Sequence, residues 1–147
     1  MSDYVKLKTE DTEQQAVIQW ARMAAGHYPA LKLLHHIPNG GRRNKVEAAK
    51  LKRMGVLAGV PDLHLPVASA GYNGLYIEMK YGDGRLLASQ REFLIRASYF
   101  HNFCAVCYTA KDAISVLQDY VDHRFRTGFK YENLAILKEG KQIGTVK

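Results

Sequence analysis

Segments with the hydrophobic spacing of helices alternate with segments of strand-type spacing along the chain, and this order leaves few folds open. Nothing in the sequence repeats internally or has low complexity, and 147 residues are enough for one domain with a single core. Alternating helices and strands are typical of α/β proteins, in which helices cover the faces of a central sheet. We therefore predict a single α/β domain over residues 1–147, with a mixed central β-sheet flanked by helices. The helix-type segments are 10–26, 44–54, 87–100 and the residues after Thr109.

The two ends of the chain carry weaker patterns than its centre. We place the core at about residues 10–122 and treat 123–147 as a C-terminal extension, compatible with two short strands or with a loosely docked tail. The N-terminal segment has no apolar stretch of signal-peptide length. No other segment approaches the roughly 18 consecutive apolar residues of a membrane span. We expect a cytoplasmic protein with no membrane partner.

Two cysteines, Cys104 and Cys107, lie in an apolar segment with the composition of a buried strand. Their odd separation along a strand points the two side chains to opposite faces of the sheet. The chain has no second cysteine pair to complete a zinc site of the common kind. We interpret both residues as small members of the core.

The positive charge of the chain is concentrated in one segment. The formal net charge is +7 and the isoelectric point is about 9.4, which favours a polyanionic partner because neutralised phosphates release their counterions. A basic helix face exposed to solvent is the plain alternative. The candidate DNA-binding residues are Arg42, Arg43, Lys45, Lys50, Lys52 and Arg53.

Two predicted strands carry the residues with the clearest chemical signal. In the segment GVPDLHL, Leu63 and Leu65 point to one face of a strand, so Asp62 points to the other. In the segment LYIEMKY, Glu78 and Lys80 likewise share the face opposite the apolar residues. A hairpin-type turn, SAGYNG, joins the two segments. Neighbouring strands would therefore bring two carboxylates and one ammonium group together.

This set of groups suits metal-dependent hydrolysis of a phosphodiester bond. Carboxylate oxygens of Asp62 and Glu78 can share Mg²⁺ or Mn²⁺, and the main-chain carbonyl of Met79 is a further candidate ligand. A bound cation polarises a phosphoryl oxygen and lowers the pKa of water. Two roles are open to Lys80, because nearby carboxylates favour its ammonium form and a cation disfavours it. We place water positioning with charge stabilisation first and general-base action second.

The Glu-x-Lys spacing alone has little specificity, because it recurs at residues 139–141 in the tail. The spacing at residues 78–80 becomes informative because of the segments around it. The strand that carries Asp62 precedes it, a helix that carries Gln90 follows it, and an N-terminal helix carries Glu13. We interpret the Gln90 amide as a buried group that needs partners, since it shares a helix face with apolar residues.

With these residues in place, the chain resembles the PD-(D/E)xK nuclease superfamily and, within it, the virus-type replication-repair nuclease (VRR-NUC) family. The similarity covers roughly residues 10–122. It rests on Glu13, PNGGRR at 38–43, GVPDLHL at 59–65, IEMK at 77–80 and GRLLASQREF at 84–93. Leu87 departs from the pattern, because the family often has a serine there that caps the following helix.

The resemblance implies a restriction-endonuclease-like core and a metal held by Asp62 and Glu78. It also implies that Glu13 assists directly or through water and that Lys80 and Gln90 complete the site. Single-domain members are similar to phage and bacterial enzymes that form homodimers and cut four-way DNA junctions, which places such a protein in a bacterial or phage-infected cell. A nuclease for linear duplex or flaps, an exonuclease, and a non-catalytic DNA-binding module with the same fold remain open.

Overall fold

The computed structural model describes residues 9–39, 43–122 and 129–147. Helices and strands alternate through these residues as the sequence pattern predicts. The elements are α1 (Glu10–Ala24), a 3₁₀ helix (Pro29–Leu33), β1 (His35–His36), α2 (Lys45–Arg53), β2 (Leu63–Leu65), β3 (Gly74–Met79), α3 (Ala88–Tyr99), β4 (Asn102–Cys107), α4 (Ala110–Val121), β5 (Ala135–Lys138) and β6 (Lys141–Thr145). Among them, no helix is long and apolar enough to cross a membrane.

The six strands form one sheet in the order β1-β2-β3-β4-β5-β6. Strand β3 runs parallel to β4, and β4 runs parallel to β5. The pairs β1–β2, β2–β3 and β5–β6 are antiparallel. The sheet is therefore mixed and has helices on both faces, which confirms the predicted fold class.

Both faces of the sheet are covered by apolar side chains. The larger core packs α1 and α4, through residues such as Val17 and Leu117, against Ile77 and its neighbours on the sheet. The smaller core packs Leu94 of α3 against the opposite face. Cys107 belongs to the larger core and Cys104 to the smaller one, so the two cysteines face opposite ways as predicted, and both are free and buried.

The C-terminal residues complete the sheet. Strand β5 lies beside β4, and β6 returns antiparallel along β5. Ala135 is fully buried and Leu137 is 1% exposed, so this strand contributes to the core. The alternative with two short strands is the one that the structure adopts.

Helix α3 begins without a side-chain cap from the preceding residue. Leu87 occupies the N-cap position and has no oxygen that could accept a hydrogen bond. Gln90 compensates in part, because its Oε1 atom accepts a hydrogen bond of 2.9 Å from the Leu87 N–H. One N–H group at this helix end is thereby satisfied.

A close backbone contact holds the start of α3 against the segment that leads into β2. Gly59 has a φ of +88°, and a Cβ atom at this position would lie 2.3 Å from the carbonyl oxygen of Ser89. Only glycine fits there without moving the backbone. The contact fixes the path of the chain just before Asp62.

Candidate metal centre and active site

The pairing of β2 with β3 places Asp62 beside Glu78. Leu63 pairs with Ile77 in the antiparallel register, so the next position along each strand brings the two acids opposite each other. The Asp62 Oδ2 atom accepts a hydrogen bond of 2.8 Å from the N–H of Met79. The Asp62 carbonyl oxygen accepts another, of 2.9 Å, from the Ile37 N–H. Both the side chain and the backbone of Asp62 are therefore fixed.

Three carboxylates converge at this end of the sheet. Glu10, Asp62 and Glu78 each offer an oxygen atom, and these atoms lie within 4.8 Å of one another. Glu78 is only 2% exposed, whereas the other two are half-buried. Three hard oxygen donors at this separation fit the preference of Mg²⁺ and Mn²⁺ for carboxylate ligands. The alternation of residues in the strands predicts the Asp62–Glu78 pair, and Glu10 is a member that it does not predict.

Glu13 takes a different position from the one expected. Its carboxylate is buried, and Oε2 accepts a hydrogen bond of 2.8 Å from the N–H of Ala110, the first residue of α4. A helix N-terminus attracts a negative group through its free N–H groups and its dipole. Glu10 and Glu13 lie one turn apart on α1, so helical spacing alone assigns both to the same side. In the structure, Glu10 lies with Asp62 and Glu78, whereas Glu13 binds the N-terminus of α4.

Lys80 lies directly beside the carboxylates. Its Nζ atom is 3.4 Å from Oε1 of Glu78, and the residue is 7% exposed. Its backbone N–H donates to the carbonyl oxygen of Cys107 at 2.9 Å, which continues the pairing of β3 with β4. The buried Lys80 side chain is thus held beside the carboxylate cluster.

Comparison with known proteins decides the family. The sequence profile of the VRR-NUC domain matches residues 6–111, which include all three carboxylates and Lys80. The chain belongs to the VRR-NUC family. A solved structure described as a VRR_NUC domain protein is 34% identical and has a TM-score of 0.69, covering 80% of this chain and 92% of its own. No curated protein sequence matches this chain significantly.

Membership of the VRR-NUC family confirms the resemblance described above and gives the chain a nuclease-type function, with DNA as the substrate. Nucleases of this kind generally depend on a divalent metal, and the structure contains an acidic cluster that could hold one. The fold and the general class of chemistry therefore rest on two independent comparisons.

The electrostatics of the VRR-NUC site favour a cation. Burial, followed by the charge of Asp62, raises the pKa of Glu78 to about 8, while Lys80 acts in the opposite direction. Burial also raises the pKa of Glu10, with a further rise from Asp62 and an opposing effect from Lys80. Carboxylates this close disfavour each other's ionised form. A divalent cation between them would remove that penalty.

Gln90, expected to complete the site, lies in the first turn of α3. Its side-chain oxygen is engaged by the Leu87 N–H, and its backbone nitrogen is next to Gly59. Both contacts connect the start of this helix with neighbouring loops. The described contacts of Gln90 are therefore structural, and its catalytic role remains a prediction.

The basic segment includes an exposed helix. Helix α2 has no buried residue, and all five candidate DNA-binding residues described are exposed: Arg43, Lys45, Lys50, Lys52 and Arg53. The sixth candidate, Arg42, lies outside the described residues, as do Gly40 and Gly41. The Asn39 side chain donates a hydrogen bond of 2.7 Å to the carbonyl oxygen of Leu57, which connects the two ends of this segment. We call residues 43–57 the basic arm.

Proposed function

We propose that this VRR-NUC chain is a divalent-metal-dependent endonuclease that hydrolyses phosphodiester bonds in DNA and prefers branched DNA such as four-way junctions. The observation that carries the proposal is the convergence of Glu10, Asp62 and Glu78 within 4.8 Å, with the Lys80 ammonium 3.4 Å from Glu78. A structural ion pair needs one acid and one base. Three acids around one lysine exceed what such a pair needs, and a cation would remove the mutual repulsion of their ionised forms.

The three carboxylates would hold Mg²⁺ or Mn²⁺. A main-chain oxygen is available too, because the N–H and C=O of one strand residue point to the same edge and the Met79 N–H points to Asp62. The Met79 carbonyl therefore remains our candidate for a further ligand. When bound, the cation supplies polarisation of a phosphoryl oxygen and a lowered pKa of water. The hydrogen bond from Met79 keeps the Asp62 side chain oriented toward that position.

Lys80 would act on the reacting phosphate. Its ammonium group is held beside Glu78 and can donate hydrogen bonds to a phosphoryl oxygen or to the attacking water. Fixed positive charge at the point where negative charge develops stabilises the transition state more than the ground state. We assign Lys80 this role first, with general-base action as the second possibility.

The basic arm would supply much of the DNA affinity. Its exposed lysine and arginine side chains carry a single acidic residue among them, Glu47. Cations on an exposed helix can contact successive phosphates without reading the base sequence. Binding of this kind is compatible with selection of a DNA shape rather than a sequence.

A homodimer would suit a junction, because a two-fold axis places two equivalent sites against two equivalent strands. The outer face of α3 supports this part of the proposal. Ile95 is 39% exposed, Tyr99 78% and Phe100 61%, next to the Glu92–Arg96 ion pair. A contiguous exposed apolar strip often marks a surface that contacts another protein.

The test is cleavage of labelled four-way-junction DNA and the matching linear duplex in Mg²⁺, Mn²⁺ or EDTA, for the wild type beside Asp62→Asn. We expect metal-dependent cleavage of the junction that the substitution abolishes. Equal cleavage of both substrates would contradict the junction preference. A folded protein that binds DNA and cuts neither substrate would favour the non-catalytic binding module.

A further inference from the structure

A groove runs between α1 and β1 on the surface of the domain. One wall is the outward face of α1, and the other is formed by Leu34 and strand β1. Ile18, Met23 and Leu34 provide its apolar parts. Its polar lining consists of Gln14, Gln15, Gln19, Arg22, His35 and His36.

The polar lining has one sign of charge. None of the residues that line the groove is acidic, and Arg22 and the three glutamines are hydrogen-bond donors. Amide and guanidinium groups donate to phosphate oxygens and to sugar, and amides also accept from base edges. The exposed apolar atoms suit the face of a deoxyribose. This combination can contact the phosphates and sugars of a nucleic acid.

Two residues that line the groove are close neighbours of the carboxylate residues. Gln14 follows Glu10 by one turn of α1, so it lies on the same side of that helix. On the opposite wall, the Nδ1 atom of His36 is 2.7 Å from the carbonyl oxygen of Asp62. Both walls of the groove are therefore continuous with residues that would hold the metal.

The length of the groove corresponds to several nucleotides. Arg22 lies twelve residues beyond Glu10 on one unbroken helix, which at 1.5 Å per residue is roughly 18 Å. Duplex DNA advances 3.4 Å along its axis per nucleotide of one strand, so this distance corresponds to roughly five nucleotides. Arg22 therefore lies far enough along the groove to reach a phosphate well away from the reacting one.

We propose that the α1–β1 groove binds the DNA strand that flanks the scissile phosphate on one side, with Arg22 contacting a phosphate roughly five nucleotides away. The inference rests on the proposed nuclease function and goes beyond it. The nuclease function requires only a reacting phosphate at the metal centre. The groove adds a directional contact to one flank of the DNA.

The test compares DNA binding of variants on duplexes with different flanks, by fluorescence anisotropy in Ca²⁺. Each duplex is shortened on one or the other side of the mapped cleavage position. We expect Arg22→Ala and Gln19→Ala to weaken binding of the full-length duplex by roughly three- to tenfold, the effect of losing one hydrogen bond. That defect should vanish when one particular flank is removed and persist when the other is removed. Arg22→Lys keeps the charge and should retain most of the affinity.

Matched controls lie on α4, where Lys111→Ala and Gln118→Ala remove exposed side chains of the same kinds. We expect both controls to bind like the wild type. A defect of Arg22→Ala that is the same on every duplex, or no defect, would overturn the groove proposal while wild-type cleavage still stood. Reduced self-association without reduced DNA binding would show that a second copy occupies the groove. Failure of the wild type to bind or cut any DNA would overturn both proposals together.

Discussion

Asp62 is hydrogen-bonded to the main chain of Met79, so the acid of one strand is held against the residue between Glu78 and Lys80 on the next. The bond uses one carboxylate oxygen of Asp62, and the same residue offers an oxygen to the carboxylate cluster. Because the donor is a backbone group, its position does not depend on any side-chain rotamer. The geometry of the site is therefore built into the pairing of β2 with β3.

Glu10 and Glu13 should respond differently to the same substitution. Glu10→Gln removes a carboxylate from the cluster, and we expect it to raise the metal concentration needed for cleavage and to lower the maximal rate. Glu13→Gln keeps an oxygen that can accept from the Ala110 N–H, so its cleavage should stay near the wild-type rate. Glu13→Ala should instead lower the free energy of unfolding by about 1–2 kcal/mol. Metal titrations of cleavage and urea denaturation test these expectations. Equal metal dependence of Glu10→Gln and Glu13→Gln would contradict the different roles assigned to the two residues.

Removal of the Lys80 ammonium should affect chemistry far more than binding. We expect Lys80→Ala to slow single-turnover cleavage by roughly a hundredfold or more. DNA affinity should change little, because the proposal assigns most of the phosphate contacts to the basic arm. Lys80→Met is the control for packing, since it preserves much of the buried stem while losing the charge. Normal cleavage by either variant would show that the active site is wrongly assigned.

The stability of the metal-free protein should fall as the pH rises. The pKa of Glu78 is about 8 in the folded state, chiefly because the carboxyl is buried, and about 4.3 in the unfolded chain. A raised acid pKa stabilises the fold fully below about pH 4, and that contribution is lost as the pH approaches about 8. Urea denaturation in EDTA across this range should show the fall, and Glu78→Gln should remove much of it. Parallel pH profiles for the two proteins would contradict the assignment.

Gly59 and Gly55 form a matched pair for the contact with α3. Both have positive φ, but a Cβ at Gly55 would meet nothing within 4 Å, whereas one at Gly59 would meet the Ser89 backbone. We expect Gly59→Ala to lower the free energy of unfolding by about 2 kcal/mol more than Gly55→Ala does. Thermal or urea denaturation checks the difference. Similar losses of stability in the two variants would mean that the positive φ alone, and not the contact with Ser89, requires glycine at position 59.

The basic arm should set the salt dependence of DNA binding. Replacing Lys50, Lys52 and Arg53 by alanine should weaken binding and reduce the slope of log K against log salt by roughly 0.9 for each phosphate that the variant no longer neutralises. Cleavage at saturating protein should be retained, because the carboxylate cluster is untouched. Anisotropy at several salt concentrations measures the slope. An unchanged slope would show that the arm does not contact DNA.

The orientation of the site residues on their strands was predictable from sequence. Side chains alternate between the two faces of a strand, so the apolar residues that face the core determine which residues face the other way. Asp62, Glu78 and Lys80 follow directly from that rule, as do the opposite orientations of Cys104 and Cys107. The pairing of β2 with β3, two strands that follow each other along the chain, brings Asp62 and Glu78 close together. Local sequence therefore determines the position of two of the three carboxylates, Asp62 and Glu78.

The choice between Glu10 and Glu13 was not predictable in the same way. Helical spacing puts both on one side, and only the tertiary position of α4 decides which carboxylate reaches the strands. A signal was present in the first turn of α1, where Glu10 follows the cap residue Thr9 and so lies nearest the helix end. The short strand β5 was equally hard to place, because its partner β4 is distant in sequence, and β6 in turn pairs with β5.

The hydrogen bond between Asn39 and Leu57 brings together the two points at which the chain leaves and rejoins the body of the domain. Helix α2 lies between them and has no buried residue, so changes in this helix should leave the strands that hold the carboxylates in position. If the basic arm binds DNA as proposed, selection can replace it without changing the carboxylate cluster. An exchange of the basic arm between relatives would then transfer substrate preference and leave the catalytic machinery in place.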